Sequence, residues 1–478
     1  MRSSTRSVSG LASLWLHVGQ RFLPFADAVS EDLPLGRLMR LALFQISVGM
    51  AMVLLTGTLN RVMIVELEVS AALVGLMVAL PIVVAPLRAL IGHRSDTYRS
   101  HLGWRRVPFI WMGSLLQFGG LAIMPFALLV LSGQGQSGPA AGQFGAALAF
   151  LLVGAGMHMT QTAGLALACD LAPAEKRPRV VALLYVFLLV GMLVSALVFS
   201  SLLAEYSHLR LIQVVQGAAV VTMVLNVIAL WKQEARDPKR TRFDRPRASF
   251  REAWLAFRQS EQPGRLLAAV ALGTAAFSMQ DVLLEPYGGQ VLRLGVGATT
   301  LLTALMAGGT LAGLAVAAYL LARKHDPYRL AALGVLIGIP AFSLVVAAAP
   351  LQSAVAFRFG TFAIGCGTGL FAVCMLTAAM NLARRGDSGL ALGAWGAVQA
   401  TAMGAGIALG GVIRDAVTRF APDGSVFDRI EAGYSVVYHI EIALLFATLV
   451  ALGPLVRYRP LSPTGAHAQK FGLAEFPG

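Results

Sequence analysis

The sequence predicts an all-α membrane protein whose twelve transmembrane helices form two pseudo-symmetric six-helix bundles. Three observations carry this. About twelve apolar stretches of spanning length follow one another, the charge of the gaps between them alternates, and short strings recur in the same order in each half. Composition agrees: of 478 residues 57% are hydrophobic and 13% charged, against about 25% charged in a soluble domain, and mean hydropathy is +0.71. A hydrocarbon core of ~30 Å takes roughly 20 residues of helix to cross. A backbone in lipid must satisfy its own hydrogen bonds, so each crossing is a helix.

The elements follow in order. Residues 1–37 form an N-terminal segment in which Leu11, Leu14, Trp15, Val18 and Phe22 share a helical face opposite His17, Gln20 and Arg21. That pattern predicts a short helix lying in the membrane interface. No continuous apolar core marks a signal peptide. Spans are predicted at 39–65, 70–91, 105–131, 141–168, 179–203, 209–231, 265–285, 297–322, 328–349, 353–379, 388–413 and 433–456. They group into an N-terminal bundle, 38–231, and a C-terminal bundle, 265–457, joined by a basic linker, 232–264. In that linker Trp254, Leu255 and Phe257 predict a short amphipathic segment, and 458–478 form a tail.

Positive charge sits in every second gap: Arg94, Arg99, Arg105 and Arg106 after the second span, Lys176, Arg177 and Arg179 after the fourth, the linker, Arg323, Lys324 and Arg329 after the eighth, and Arg384 and Arg385 after the tenth. The positive-inside rule places these gaps and both termini in the cytoplasm. The net charge of +14 is therefore topology control rather than a nucleic-acid footprint, and it draws the loops to anionic lipid headgroups. Cys169, Cys366 and Cys374 lie in or at the ends of apolar segments. Their number and spacing fit neither a disulfide framework nor a metal site.

Asp96-Thr-Tyr98-Arg99 after the second span is echoed by Asp326-Pro-Tyr328-Arg329 after the eighth, Asp170-Leu-Ala172 by Asn381-Leu-Ala383, and Asn60-Arg61-Val62 by Gln280-Asp281-Val282. Two such repeats are the architecture of the major facilitator superfamily, whose sites lie at the interface of the repeats.

Several polar groups stand out against this apolar background. Gly92, Asp96, Arg99, Arg105 and Arg106, with Asp170 at the end of the fourth span, form a candidate cytoplasmic latch of carboxylate and guanidinium groups at helix ends. Arg61 falls about 22 residues into the first span, ~30 Å from its cytoplasmic end. Asp281 and Glu285 share one face of the seventh. Ionisable groups at such depths are costly unless paired or facing a cavity, so an Arg61–Asp281 ion pair or outer gate is expected, with Glu66 and Glu285 beside it. The alternative is that Arg61 snorkels to the headgroups and Glu285 ends its helix at Pro286. His158 lies mid-way along the fourth span with Gln161 and Thr162 on the same face. An imidazole there can ligate a metal or ligand, or make an interhelical hydrogen bond. Gln45, Asn60 and Gln280 are further cavity candidates, and so sparse and uncharged a set suits a large apolar ligand. His439 and Glu441 are too close in sequence to face one cavity together. No nucleophile–base pair, metal cluster or phosphate-binding loop is present, which argues against an enzyme.

Longer strings are more specific. Asp32-Leu-Pro-Leu-Gly-Arg37, Gly57-Thr-Leu-Asn60-Arg61-Val-Met-Ile-Val-Glu66, Gly92-His-Arg-Ser-Asp96, His158-Met-Thr-Gln161-Thr-Ala-Gly164, Arg177-Pro-Arg179-Val-Val-Ala-Leu-Leu-Tyr185 and Gln280-Asp281-Val-Leu-Leu-Glu285-Pro-Tyr-Gly288 resemble the bacteriochlorophyll-delivery (PucC/LhaA-type) branch of the major facilitator superfamily. The resemblance covers nearly the whole chain. It implies an assembly factor for light-harvesting antennae, with bacteriochlorophyll as ligand or cargo, antenna polypeptides as partners, and a photosynthetic inner or intracytoplasmic membrane as location. It also makes His158 a candidate axial ligand for the pigment magnesium, with Gln161 beside it to bond a ring carbonyl. The competing expectation is an alternating-access carrier of an amphipathic solute, proton-coupled through Asp281 or Glu285.

Overall fold

The computed structural model describes residues 34–83, 91, 95, 104, 106–133, 138–173, 177–234, 263–383, 388–421 and 430–457. The predicted interfacial helix, most of the basic linker and the tail lie outside them. Among the described residues every regular element is helical. The twelve helices are α1 (Leu35–Glu66), α2 (described over Ala71–Val83), α3 (Val107–Leu131), α4 (Pro139–Leu171), α5 (Arg177–Leu202), α6 (His208–Leu230), α7 (Pro263–Ser278, continued to Gln290), α8 (Val296–Ala322), α9 (Pro327–Ala348), α10 (Ala354–Ala383), α11 (Ser388–Phe420) and α12 (Ile430–Arg457). Eleven of these are long and apolar enough to cross a membrane. Below, "inner" denotes the end that carries the basic loops and "outer" the opposite end.

Three helices depart from the predicted spans, each for a local reason. In α1, Leu54–Thr58 and Val62–Glu66 adopt the wide π form, whose i→i+5 bonding brings residues five apart onto one face. In α7 the turn tightens to 3₁₀ at Met279–Val282 and then restarts as Leu284–Gln290. Pro286 falls in the first turn of that new segment, where a missing N–H costs nothing. The helix therefore does not end at Pro286, as the alternative for Glu285 supposed. Finally, α11 runs to Phe420 and carries Arg414 and Asp415, which the hydropathy pattern assigns to a loop.

Small residues let helices of one bundle touch. A side chain on Gly49 of α1 would strike the backbone of Leu188 and Met192 on α5, and one on Gly191 of α5 would strike Ile46 on α1. Gly309 and Gly313 of α8 lie in the same way against Phe362 and Cys366 of α10. Polar pairs fasten other contacts. The Ser47 hydroxyl donates to Asn226 Oδ1 at 2.8 Å, and Asn226 Nδ2 donates to the Ser114 hydroxyl at 2.8 Å, tying α1, α6 and α3. Gln117 Nε2 donates to Thr160 Oγ1 at 3.0 Å between α3 and α4. Asn226 and Gln117 thus serve as fasteners between helices, and Gln213 and Gln216 are exposed on α6. The sparse glutamines and asparagines do not form one common lining.

The apolar core is divided unevenly. One core runs from the outer half of the N-terminal bundle (Leu59, Val62, Leu203) straight into the C-terminal bundle (Val282, Leu284, Leu302). The inner half of the N-terminal bundle forms a separate core around Leu38, Phe44, Leu167 and Leu184. The bundles are joined at the outer end.

Candidate functional site

The outer seam is built from α1, α2 and α5 on one side and α7, α8 and α11 on the other. Glycines set the approach. Gly411 of α11 abuts the backbone of Ala71 at the start of α2, Gly75 of α2 faces Ile407 and Ala408, and Gly297 of α8 abuts Ser200 and Ala204 of α5. Hydrogen bonds then cross at each contact. The Ser200 hydroxyl donates to Gly297 O at 2.7 Å, the Thr58 and Thr300 hydroxyls meet at 3.2 Å, and Asn60 Nδ2 donates to Asp281 O at 3.3 Å. The Ala72 N–H donates to Asp415 Oδ2 at 2.7 Å.

Arg61 is 3% exposed. The expected contact with Asp281 is not made. The wide turn after Arg61 places Glu66 beneath it, and the two form an ion pair. Arg61 Nη2 reaches across the seam to Leu294 O at 3.2 Å, and Gly289 of α7 leaves the room for it. Tyr206 lies beside this pair in the α5–α6 loop. Burial, then the charge of Glu66, push its phenol up to about 12.

The carboxylates of α7 have separate surroundings. Glu285 is 2% exposed; it accepts from the Thr303 hydroxyl at 2.5 Å and lies over Gly57 of α1. Asp281 is half-buried and accepts from Gln280 Nε2 at 2.7 Å. Glu441 of α12 is fully buried close to Gln280 and Asp281 of α7. His439, two residues earlier, is exposed on the opposite side of the helix, so the two do face apart. Of the residues read as lining a ligand cavity, Asn60 donates to Thr56 O within α1 and to Asp281 O across the seam, and Gln280 donates to Asp281 Oδ1 within α7.

The remaining candidates lie elsewhere. On α4, His158 is half-buried one turn inward of Gly154, which packs on Pro81 of α2. Gln161 is buried and Thr162 half-buried on the next turn. Gln45 is fully buried in the inner half of α1, and its amide N and O have no partner among the described residues. At the inner end Arg106 Nε pairs with Asp170 at 3.0 Å, and Arg106 Nη1 donates to the Ser95 hydroxyl at 2.5 Å. Glu234 accepts from the N–H groups of Arg106 and Val107 and so caps α3. Gly92, Asp96, Arg99 and Arg105 of the expected latch lie outside the described residues. Among the described residues, no three His, Cys, Asp or Glu side chains converge as a metal site.

Sequence reading missed Arg414 and Asp415. Arg414 donates to Asp415 Oδ1 and to Gln290 Oε1, both at 2.8 Å, and stacks over the Tyr434 ring at 4.9 Å. Tyr434 donates to the same Gln290 oxygen at 2.6 Å. The available signal was an adjacent opposite-charge pair immediately after an apolar span.

The family model described as PUCC protein matches residues 58–459. The chain belongs to the PucC protein family. It is 60% identical over 422 residues to "Protein PucC" of Rhodovulum sulfidophilum, covering 87% of this chain and 92% of that one. It is 54% identical to the "Uncharacterized protein in puhA-bchM intergenic region" of Rhodobacter capsulatus, covering 99% of each. Among solved structures, a bacterial homologue of the iron transporter ferroportin in an inward-facing state superposes with TM-score 0.65 at 15% identity, over 89% of this chain and 99% of that one. At that identity the likeness is one of fold. This PucC-family chain has the major facilitator fold of membrane transporters.

Proposed function

We propose that this PucC-family protein is a light-harvesting antenna assembly factor that handles bacteriochlorophyll, or delivers it to antenna polypeptides, in the photosynthetic membrane. The family and the strings around Arg61, His158 and Asp281 support this. The observation that carries it is the uneven core: the bundles share apolar packing at the outer end, and the inner half of the N-terminal bundle packs by itself. Such a body takes up a lipophilic load from the inner side without opening a path across the membrane. His158, with Gln161 and Thr162, offers one magnesium ligand and hydrogen-bonding neighbours on α4. Both termini then face the cytoplasm, as the basic gaps require.

Purification in mild detergent followed by absorption spectroscopy and identification of co-purifying polypeptides tests the proposal. Bound bacteriochlorophyll or antenna polypeptides are expected; colourless protein without either overturns it. His158→Leu is expected to lower pigment occupancy.

A second reading, an alternating-access carrier of an amphipathic solute, draws on Asp281. It is half-buried at the seam and has no basic partner among the described residues, as a proton-coupling carboxylate requires. Solute uptake into vesicles that collapses with the pH gradient would favour that reading.

A further inference from the structure

The outer half of the C-terminal bundle carries a second feature, away from the seam. A cleft of ≈450 Å³ opens between α9 and α12, a size usual for small-molecule sites. These two helices pack on α7, α10 and α11 of their own bundle. Ser435, His439 and Ile442 line one wall of the cleft, Ser343, Val346 and Ala347 the other, and the ring of Tyr287 closes its base.

His439 is the unusual member. It is exposed, nine residues into α12 and so ~13 Å below its outer tip at 1.5 Å per residue. That depth is hydrocarbon rather than headgroup. An ionisable side chain turned outward there marks function by default. Its geometry is specific. Nδ1 lies 2.7 Å from Ser435 O, one turn back on the same helix. A carbonyl oxygen can only accept, so Nδ1 carries the proton. In the neutral ring Nε2 then holds the lone pair, and it has no partner among the described residues. An imidazole whose far N–H is held by a backbone carbonyl has the orientation and tautomer of a metal ligand. The hydroxyls of Ser435 and Ser343 sit in the same cleft, and the Ser343 hydroxyl donates to Ile339 O at 2.9 Å.

We infer that this cleft is a lateral docking site for a magnesium tetrapyrrole, with His439 Nε2 as the axial ligand. The inference rests on the pigment-handling function proposed above. The occupant must be apolar enough to dwell among acyl chains and must present a Lewis acid with an open axial position, which a magnesium bacteriochlorin does. Nε2 donates its lone pair to the metal, no proton moves, and nothing is oxidised. The cleft seats one face of the macrocycle and leaves the other face and the tail to lipid. The pigment is thereby held at the rim of the C-terminal bundle, where a neighbouring transmembrane helix can reach it without entering the interior.

The test titrates the full-length protein in detergent with bacteriochlorophyll a and, separately, with its metal-free counterpart. The wild type is expected to bind the magnesium pigment at least about tenfold more tightly, the lower bound for losing a metal-site group. In a His158→Leu background, where the α4 imidazole cannot mask the loss, His439→Leu is expected to remove that preference and leave metal-free pigment binding unchanged. Leucine facing lipid threatens no packing, and Ser435→Ala, which keeps the carbonyl, is expected to behave as wild type. His439→Gly is expected to regain the preference when imidazole is added. Should His439→Leu in the His158→Leu background keep the tenfold preference, or the wild type bind both pigments equally, the axial-ligand inference falls and pigment handling stands. Should the wild type bind neither, both fall together.

Discussion

At Asp415 a carboxylate from one bundle accepts the N–H of Ala72 in the first turn of α2 from the other. First-turn donors have no partner inside their own helix, and the N-terminus carries partial positive charge, so an anion placed there closes the seam twice over. Asp415→Ala is expected to weaken outer closure by about 1–2 kcal/mol and Asp415→Asn by less. Faster alkylation of a cysteine placed at Thr58 reports the loss. Asn226 is a milder case. The Ser114 hydroxyl donates to Ile110 O, and the Ser47 hydroxyl has Phe44 O at 2.8 Å as an alternative acceptor once Asn226 is gone, so Asn226→Leu should cost only about 1 kcal/mol in detergent thermal unfolding. Residue-scale reading of the sequence found the costly groups because charge in an apolar run is conspicuous: Arg61, Asp281 and Glu285; it separated His439 from Glu441 without saying which of them turns outward. It misassigned the partner of Arg61, because helical periodicity assumes 3.6 residues per turn and a wide turn brings Glu66 under it instead.

At the scale of elements, eleven of the twelve predicted spans meet a helix of spanning length, and the second meets α2 over its described part, Ala71–Val83, since lipid demands long apolar runs whatever their tertiary contacts. Their ends were less so. Proline and charge signal termination in water, yet α7 continues past Pro286 by restarting its turn, and α11 continues past Arg414 because the pair finds Gln290 and Ala72. Which glycines touch which helix was also hidden, because close approach is a property of pairs. The reciprocal contacts of Gly49 and Gly191 between α1 and α5 predict that Gly191→Leu forces these helices apart, at a cost of about 1–3 kcal/mol or more from overpacking. Lower yield of folded protein in size-exclusion chromatography measures it, and Gly217→Leu, where nothing stands within 4 Å, is the neutral comparison.

For the whole molecule, the Thr58–Thr300 contact offers a lock. Cysteines at both positions, in a background lacking Cys169, Cys366 and Cys374, are expected to cross-link across a gap that the native hydroxyls already span at 3.2 Å. If antenna assembly needs the bundles to rock at the outer end, the oxidised protein loses activity and a reductant restores it. If the outer end stays shut throughout, oxidation changes nothing and the carrier reading is excluded. The shared outer core makes the second result the natural expectation. To part that rim, Leu59, Val62 and Leu203 would have to leave the core they share with Val282, Leu284 and Leu302. A vessel sealed on one side is a cup, and a cup is filled and emptied through the same mouth. What enters such a vessel from its inner side keeps its leaflet of origin, so the direction of that journey is set by who waits alongside and not by the membrane potential.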